Sequence, residues 1–365
     1  ERQTGDGWTF PACNPATGEV LWQVPDASVA DAHAAAHAAW RAFHETQWST
    51  ETALRADAVG RFTRALATRS DDLTMLLAAE TGVPVSQRSA HVDAPIAGMR
   101  AERPGPPGVT VVVTPATSPL AVALAEIGRV LAAGGTVVLK PAPEAATAAL
   151  EIGRIGLDIL PRGVLNVVST RDVDVAIALT LDHRVDEISF TGSSIAGERV
   201  RVSGDRARKR LRLDVGGPRT LEPADDADLA SVVSAAALAV AANAGQGCRL
   251  PASVVVPPHR YAEALQAAVA TMQDVVVGDP ADLGTLCGPL RSRVARDRVE
   301  RYLALARSEG ATVETGGHVL DRDGWWFAPT VIGGIERQSR LVREEVLGPV
   351  LMVVAETRRA ASARA

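Results

Sequence analysis

Between residues 109 and 217, short apolar runs alternate with longer stretches whose apolar residues recur every three or four places. VTVVVTP (109–115), TVVLKP (136–141), GVLNVV (163–168), DEISFTG (186–192) and LRLDVGG (211–217) read as strands. Between them SPLAVALAEIGRVLAAGG (118–135), residues 144–160, residues 171–182 and the run from Ser194 carry helical spacing. Near-continuous apolar strands alternating with helices predict a parallel sheet covered on both faces, in the Rossmann manner.

Upstream, residues 28–44 and 50–80 predict long surface helices, and NPATGEV (14–20) predicts a turn leading into a strand. Downstream, DLASVVSAAALAVAANAGQG (228–247) predicts one long apolar helix running directly to Cys248. SVVVPP (253–258), helices over 260–273 and 291–309, and strands near TVETGG and FAPTVIGG follow. A domain boundary falls near residue 217, giving domains over 1–217 and 218–355. The tail ETRRAASARA (356–365) has no apolar face to bury and reads as disordered.

Composition narrows the class. At 365 residues the chain is too long for one ordinary core, and 47% hydrophobic with 22% charged residues fits a globular protein. The net charge of −5, with no basic stripe interleaved with aromatics, argues against a nucleic-acid partner. No signal-peptide pattern opens the chain, and charges or glycines break each apolar run well short of a membrane span. Three cysteines, Cys13, Cys248 and Cys287, are too few and too odd for a disulfide framework. The expectation is a cytoplasmic protein without membrane contact.

Five positions carry candidate chemistry, each with a plainer reading beside it. Cys248 follows a Gly-Gln-Gly turn that leaves room for a substrate and offers N–H groups to an oxyanion; the alternative is a packed, inert thiol. FTGSS (190–194) joins a strand to a helix start that suits a phosphate, without the full Gly-x-Gly-x-x-Gly pattern. Lys140 and Asp214 each end a predicted strand, where ligands of open α/β sheets sit; a solvated lysine and a turn cap are the alternatives. Lysine occurs only at 140 and 209, so where it is kept arginine does not serve. Glu345, in EEVLGPV (344–350), belongs to a pair of acids that could equally be surface charge.

Together these pieces resemble the aldehyde dehydrogenase superfamily. NPATGEV, VVLKPAPE, GVLNVV, DEISFTGSS, LDVGG, NAGQGC, GDP, CGPL, FAPTV and EEVLGPV run in that family's order from about residue 14 to 353. The resemblance implies an α/β fold with a Rossmann-like cofactor domain and a second α/β catalytic domain. It implies NAD or NADP as cofactor, a small-molecule aldehyde as substrate and no metal. It makes Cys248 the nucleophile, passing through a thiohemiacetal and a thioester to the acid. Lys140 matches the adenosine-ribose contact, Gly192 and Ser193 the pyrophosphate contacts and Glu345 the nicotinamide-ribose contact, with Pro115 also on the cofactor side.

The departures are specific. Asp214 stands where the family's general base is a glutamate, a methylene shorter and roughly 1.5 Å less in reach. Thr117, in PATSP (115–119), stands where the family has an oxyanion-hole asparagine, a donor whose loss costs about 2.7–4 kcal/mol. Leu347 replaces an aromatic residue and Pro143 a ribose-binding acid, with Glu144 one place on. The segment between Gly82 and Val109 is short for the family's oligomerisation hairpin, and typical members continue well past EEVLGPV, so the catalytic domain reads as C-terminally incomplete and the oligomeric state stays open. These replacements support an alternative: a divergent, weakly active or inactive member that binds cofactor without efficient turnover.

Overall fold

The computed structural model describes residues 7–99, 106–247 and 250–356. They divide into two compact units. The first comprises residues 7–14, 19–81, 87–99 and 106–216; the second comprises 15–18, 82–86 and the described residues from 217 onward.

In the first unit, β1 (Thr9–Cys13) and β2 (Val20–Pro25) form an antiparallel hairpin. β3 (Val109–Thr114), β4 (Thr136–Pro141), β5 (Leu165–Val167), β6 (Glu187–Gly192) and β7 (Arg210–Val215) form a parallel sheet in the order β5-β4-β3-β6-β7. Helices Pro119–Ala132, Ala146–Leu157, Val173–Leu181 and Ser194–Arg206 make the crossovers. β3, β4 and β6 are buried along almost their whole length, which is why their sequences are apolar without alternation.

Of the two helices expected ahead of this sheet, the first forms as one and the second is divided. Helix Val29–His44 buries Ala32, Ala36, Ala39 and Ala42, a stripe of small residues of which the first three share a core cluster with Val109, Val111, Val138 and Ile188. The stretch 50–80 is two helices, Thr52–Thr68 and Ser70–Thr81. The second begins with Asp71 and Asp72 in its first turn, the charge a new helix N-terminus favours, and Arg69 at the break pairs with Asp72 at 2.6 Å.

β7 is an edge strand whose side chains are half-buried or exposed. It is tied inward by charge. Arg212 reaches Glu126 at 3.0 Å and Arg210 reaches Glu187 at 3.4 Å. Arg129, 7% exposed, sits between those two acids at 2.9 and 2.5 Å. Buried charges persist only when paired in this way.

The second unit is a second α/β layer. β8 (Thr220–Leu221), β9 (Ser253–Val256), β10 (Thr312–Thr315), β11 (Thr330–Gly333) and β12 (Val350–Ala355) lie in the order β10-β11-β12-β9-β8, parallel except for β10 with β11. Alternation divides its core. Val254, Val256, Leu351 and Val353 pack with helices Leu229–Ala241 and Tyr261–Gln273. Val255, Val350, Met352 and Val354 pack with helix Arg293–Ser308. β12 is the middle strand, yet the strands read from sequence stop short of it, because VLMVVA follows a Gly-Pro turn and pattern alone supplies it no partner.

The helix expected over 228–247 ends at Ala241. Asn243 turns its backbone N–H to Leu286 O at 3.2 Å instead of continuing the helix ladder. Residues 357–365, expected to be a disordered tail, lie outside the described residues.

Glu80, 3% exposed, caps helix Ala146–Leu157 by accepting from Thr147 N at 2.8 Å and Ala148 N at 3.0 Å. Burial pushes its carboxyl from 4.5 up to about 7, outweighing the hydrogen bonds to Thr147 and Ala148 that favour the ion. A folded-state value above the unfolded one means the folded chain holds the extra proton between those limits. Stability therefore falls as pH rises across that window, by at most on the order of 3 kcal/mol. Urea unfolding at pH 5 and pH 8 should show this loss, and Glu80→Gln should remove it; an equal pH response in both proteins would refute the assignment.

Candidate active site

Parallel pairing aligns the strand ends of the first unit. Val113 registers with Lys140 and with Phe190, Phe190 with Leu213, and Thr191 with Asp214. Pro115, Thr117, Lys140, Gly192, Ser193 and Asp214 thus follow or close strands at one edge of the sheet. From β3 the chain crosses to β4 on one side, while β6 flanks β3 on the other. The switch point between β3 and β6 is where open α/β sheets bind ligands.

Each of these side chains has its own setting. Thr117, 7% exposed, lies in the loop before helix Pro119–Ala132. Lys140 is half-buried, and no hydrogen bond ties its Nζ to another described residue. Desolvation lowers its pKa, opposed by the nearby charges of Glu144 and Asp26. Ser193 caps helix Ser194–Arg206, its Oγ accepting from Ala196 N at 3.3 Å. A Cβ on Gly197 would lie 2.3 Å from Val215 Cγ1, so this helix approaches β7 as only glycine allows. Asp214 is exposed near the end of β7.

In the second unit the chain leaves helix Leu229–Ala241 through a left-handed turn. Asn243, Ala244 and Gly245 have φ of +50°, +52° and +69°. Asparagine and glycine tolerate this region; an alanine there costs about 1–2 kcal/mol. The turn is pressed against the loop after Glu344: a Cβ on Gly245 would lie 1.9 Å from Gly348 O. That loop is itself strained at Leu347, φ +56°. Gly217, Gly245, Gly247, Leu250, Glu345 and Leu347 share one recess. Gly247 and Leu250 flank Cys248 and Arg249, which lie outside the described residues.

The two adjacent acids behave differently. Glu344 is held down to about 2 by hydrogen bonds from Arg340 (2.8 Å) and Tyr302 (2.6 Å). Glu345 is raised by burial in the recess, against the Arg298 guanidinium and the Gly217 backbone N–H. Arg298 also donates to the Glu345 carbonyl, fixing the loop from helix Arg293–Ser308. Sequence reasoning did not single out Arg298, Gly348 or Gln246. The signal for Gln246 was an amide set between two glycines. The other cysteines have different settings: Cys287 is wholly buried and receives the Ala244 backbone N–H, its thiol pushed up to about 12 by burial, and Cys13 is half-exposed. Among the described residues no cluster of three or more His, Cys, Asp or Glu side chains is placed to hold a metal, and no helix is long and apolar enough to cross a membrane.

The family model described as the aldehyde dehydrogenase family matches residues 3–102 and 99–361. The chain belongs to the aldehyde dehydrogenase family. It is 33% identical to a probable succinate-semialdehyde dehydrogenase (NADP+) of Sinorhizobium fredii, covering 95% of this chain and 75% of that protein. It is 30% identical to the lactaldehyde dehydrogenase of Escherichia coli, covering 96% and 78%. Among solved structures it resembles aldehyde dehydrogenase C of Pseudomonas syringae, complexed with NAD+ and octanal, at 31% identity and TM-score 0.92, over 97% of this chain and 77% of that one. The NAD+ complex of a Bacillus cereus aldehyde dehydrogenase gives 29% identity and TM-score 0.91, over 96% and 77%. The aldehyde dehydrogenase fold, a Rossmann-like unit with a second α/β unit, is therefore this chain's fold.

Backbone contact between Gly245 and Gly348 makes a sharp prediction for this family member. Gly245→Ala meets a carbonyl oxygen and a positive φ at once and should cost more than the 1–2 kcal/mol or so of the φ alone. Gly98→Ala, where a Cβ meets nothing within 4 Å, should be neutral or stabilising. Urea midpoints decide; equal stability of the two variants would show that the loops do not press on each other.

Proposed function

We propose that the chain oxidises an aldehyde to a carboxylic acid with NAD or NADP, through a covalent intermediate on Cys248. The observation that carries this reading is the packing of Gly245 on Gly348, which sets the loop bearing Glu345 against the turn that leads to Cys248. The residues present fit a dinucleotide. Lys140 offers ammonium donors not engaged by another described residue, and Ser193 opens the positive end of a 13-residue helix. By the family resemblance Lys140 would hold the adenosine ribose, Gly192 and Ser193 with that helix end the phosphates, Glu345 the nicotinamide ribose, and Pro115 would be a further cofactor contact. Bound there, the dinucleotide supplies the oxidising equivalent by accepting a hydride.

The chain's own residues do the remaining work. The Cys248 thiolate adds to the aldehyde carbon, and Thr117 Oγ1 donates to the oxygen of the thiohemiacetal. Oxidation leaves an acyl thioester on Sγ. Asp214 takes a proton from water, the water oxygen adds to the acyl carbon, and the acid departs as the thiolate is released. Relatives are named for succinate semialdehyde and lactaldehyde, and a neighbour holds octanal, which supports an aldehyde substrate without choosing its chain.

A second reading is cofactor binding with weak or no turnover. It is favoured by Thr117 and Asp214, both shorter than the residues the family pattern has there, with Asp214 exposed on an edge strand.

NAD(P)H absorbance over an aldehyde panel separates the readings. The first expects turnover that Cys248→Ala abolishes, and a cofactor KM that Lys140→Ala raises by about tenfold or more, the worth of a charge-assisted hydrogen bond. Asp214→Glu and Thr117→Asn should raise kcat, by up to about a hundredfold if reach is what limits it. No turnover from the parent or these variants, with NAD(P) still bound, would leave the second reading standing.

A further inference from the structure

The left-handed turn ahead of Cys248 needs more than a glycine to persist. Asn243 and Ala244 both carry a Cβ at positive φ, and such backbone survives only where its surroundings over-determine it. Beside the Gly348 contact and the Asn243 bond to Leu286, one buried side chain ties the turn down. Gln246 is 2% exposed and uses its whole carboxamide. Oε1 accepts from the backbone N–H of Arg291 at 2.9 Å and from Arg291 Nη1 at 3.2 Å. Nε2 donates to Asn243 O and to Pro289 O, both at 3.3 Å. Its backbone closes the turn, with Gln246 N donating to Asn243 O at 3.0 Å and Gln246 O accepting from Asn243 Nδ2 at 3.0 Å.

We propose that Gln246 is a positioning residue for Cys248: its buried carboxamide locks the left-handed turn to the 289–291 segment and so sets how the chain leaves toward the cysteine two residues on. This rests on the reading of Cys248 as nucleophile. The chemistry requires glutamine in particular. Two carbonyls need donors on one side and two N–H groups need an acceptor on the other, and only an amide supplies both. Glutamate would set oxygen against the two carbonyls. Methionine would fill the same volume and drop all four bonds. Asparagine is a methylene short.

Cys248 alkylation by iodoacetamide, followed by peptide mass spectrometry across pH 6–9, tests this beside kcat and cofactor KM. Cys287, 0% exposed with its thiol receiving the Ala244 backbone N–H, serves as a sentinel for gross opening of the core beneath the turn. In Gln246→Glu and Gln246→Met, the Cys248 alkylation rate should shift and kcat should fall, each by about tenfold or more, while cofactor KM stays within about twofold and Cys287 stays sealed. Rates within about twofold of the parent with Cys287 sealed would overturn the proposal, as would losses that appear only when Cys287 becomes reactive.

Should both variants fail to fold, Arg291→Ala removes one of the two bonds to Oε1 and spares the backbone one. It should shift Cys248 alkylation by about threefold, and no shift would equally overturn the proposal. Alkylation needs no aldehyde. A chain that turns over nothing, yet whose Cys248 reactivity still depends on Gln246, would therefore count against the proposed oxidation and not against the positioning.

Discussion

The carbonyl oxygen of Gly348 occupies the space where residue 245 would carry a side chain. Two segments about a hundred residues apart in the chain are thereby pressed backbone to backbone. Gly348 has no more freedom, because a Cβ there would lie 2.4 Å from Val299 Cγ2 on helix Arg293–Ser308. The contact fixes the strained turn of Asn243 and Ala244 on one side and the strained Leu347 on the other. Strain of this kind, sustained by close packing, concentrates where a chain must hold reactive groups in one geometry. Gly245, Leu347 and Gly348 also line the recess around Glu345.

The first unit solves a different problem, that of gathering residues separated by a hundred positions. Five strands running one way bring their ends to one edge, and the register carries Lys140, Thr191 and Asp214 to neighbouring rungs. Apolar burial from both faces holds β3, β4 and β6, but β7 lacks that cover. Its arginines reach the buried acids Glu126 and Glu187 instead, so the strand bearing Asp214 is held by charge where the others are held by the core.

Burial then sorts chemically equal groups. Glu344 and Glu345 are adjacent, yet one is hydrogen-bonded into a low-pKa ion and the other is desolvated. Lys209 turns its ammonium to the carbonyls of Asp182 and Val185, at 2.7 and 2.6 Å, and closes the loop after helix Val173–Leu181. Lys140 has no such bond among the described residues, and desolvation lowers its pKa. The two lysines of the chain are thus separated by their surroundings.

Much of this was legible in the chain. Doubly buried strands announce themselves by unbroken apolar runs, and the glycines and prolines that bound them mark the loops, so the first sheet, its helices and the strand-end positions of Lys140 and Asp214 follow from pattern. Family motifs carry the rest of the outline. Pattern failed where a distant partner decides the backbone. DLASVVSAAALAVAANAGQG has helical composition throughout, yet Asn243 bonds to Leu286 and Gln246 to Pro289 and Arg291, and the helix stops at Ala241. VLMVVA lacks a visible partner until β9 and β11 flank it. Local propensity and periodicity determined which segments become strands and helices. Only tertiary packing decided that Gly245 meets Gly348 and that Gln246 spends its whole amide on one turn, because those contacts join residues that no local pattern relates.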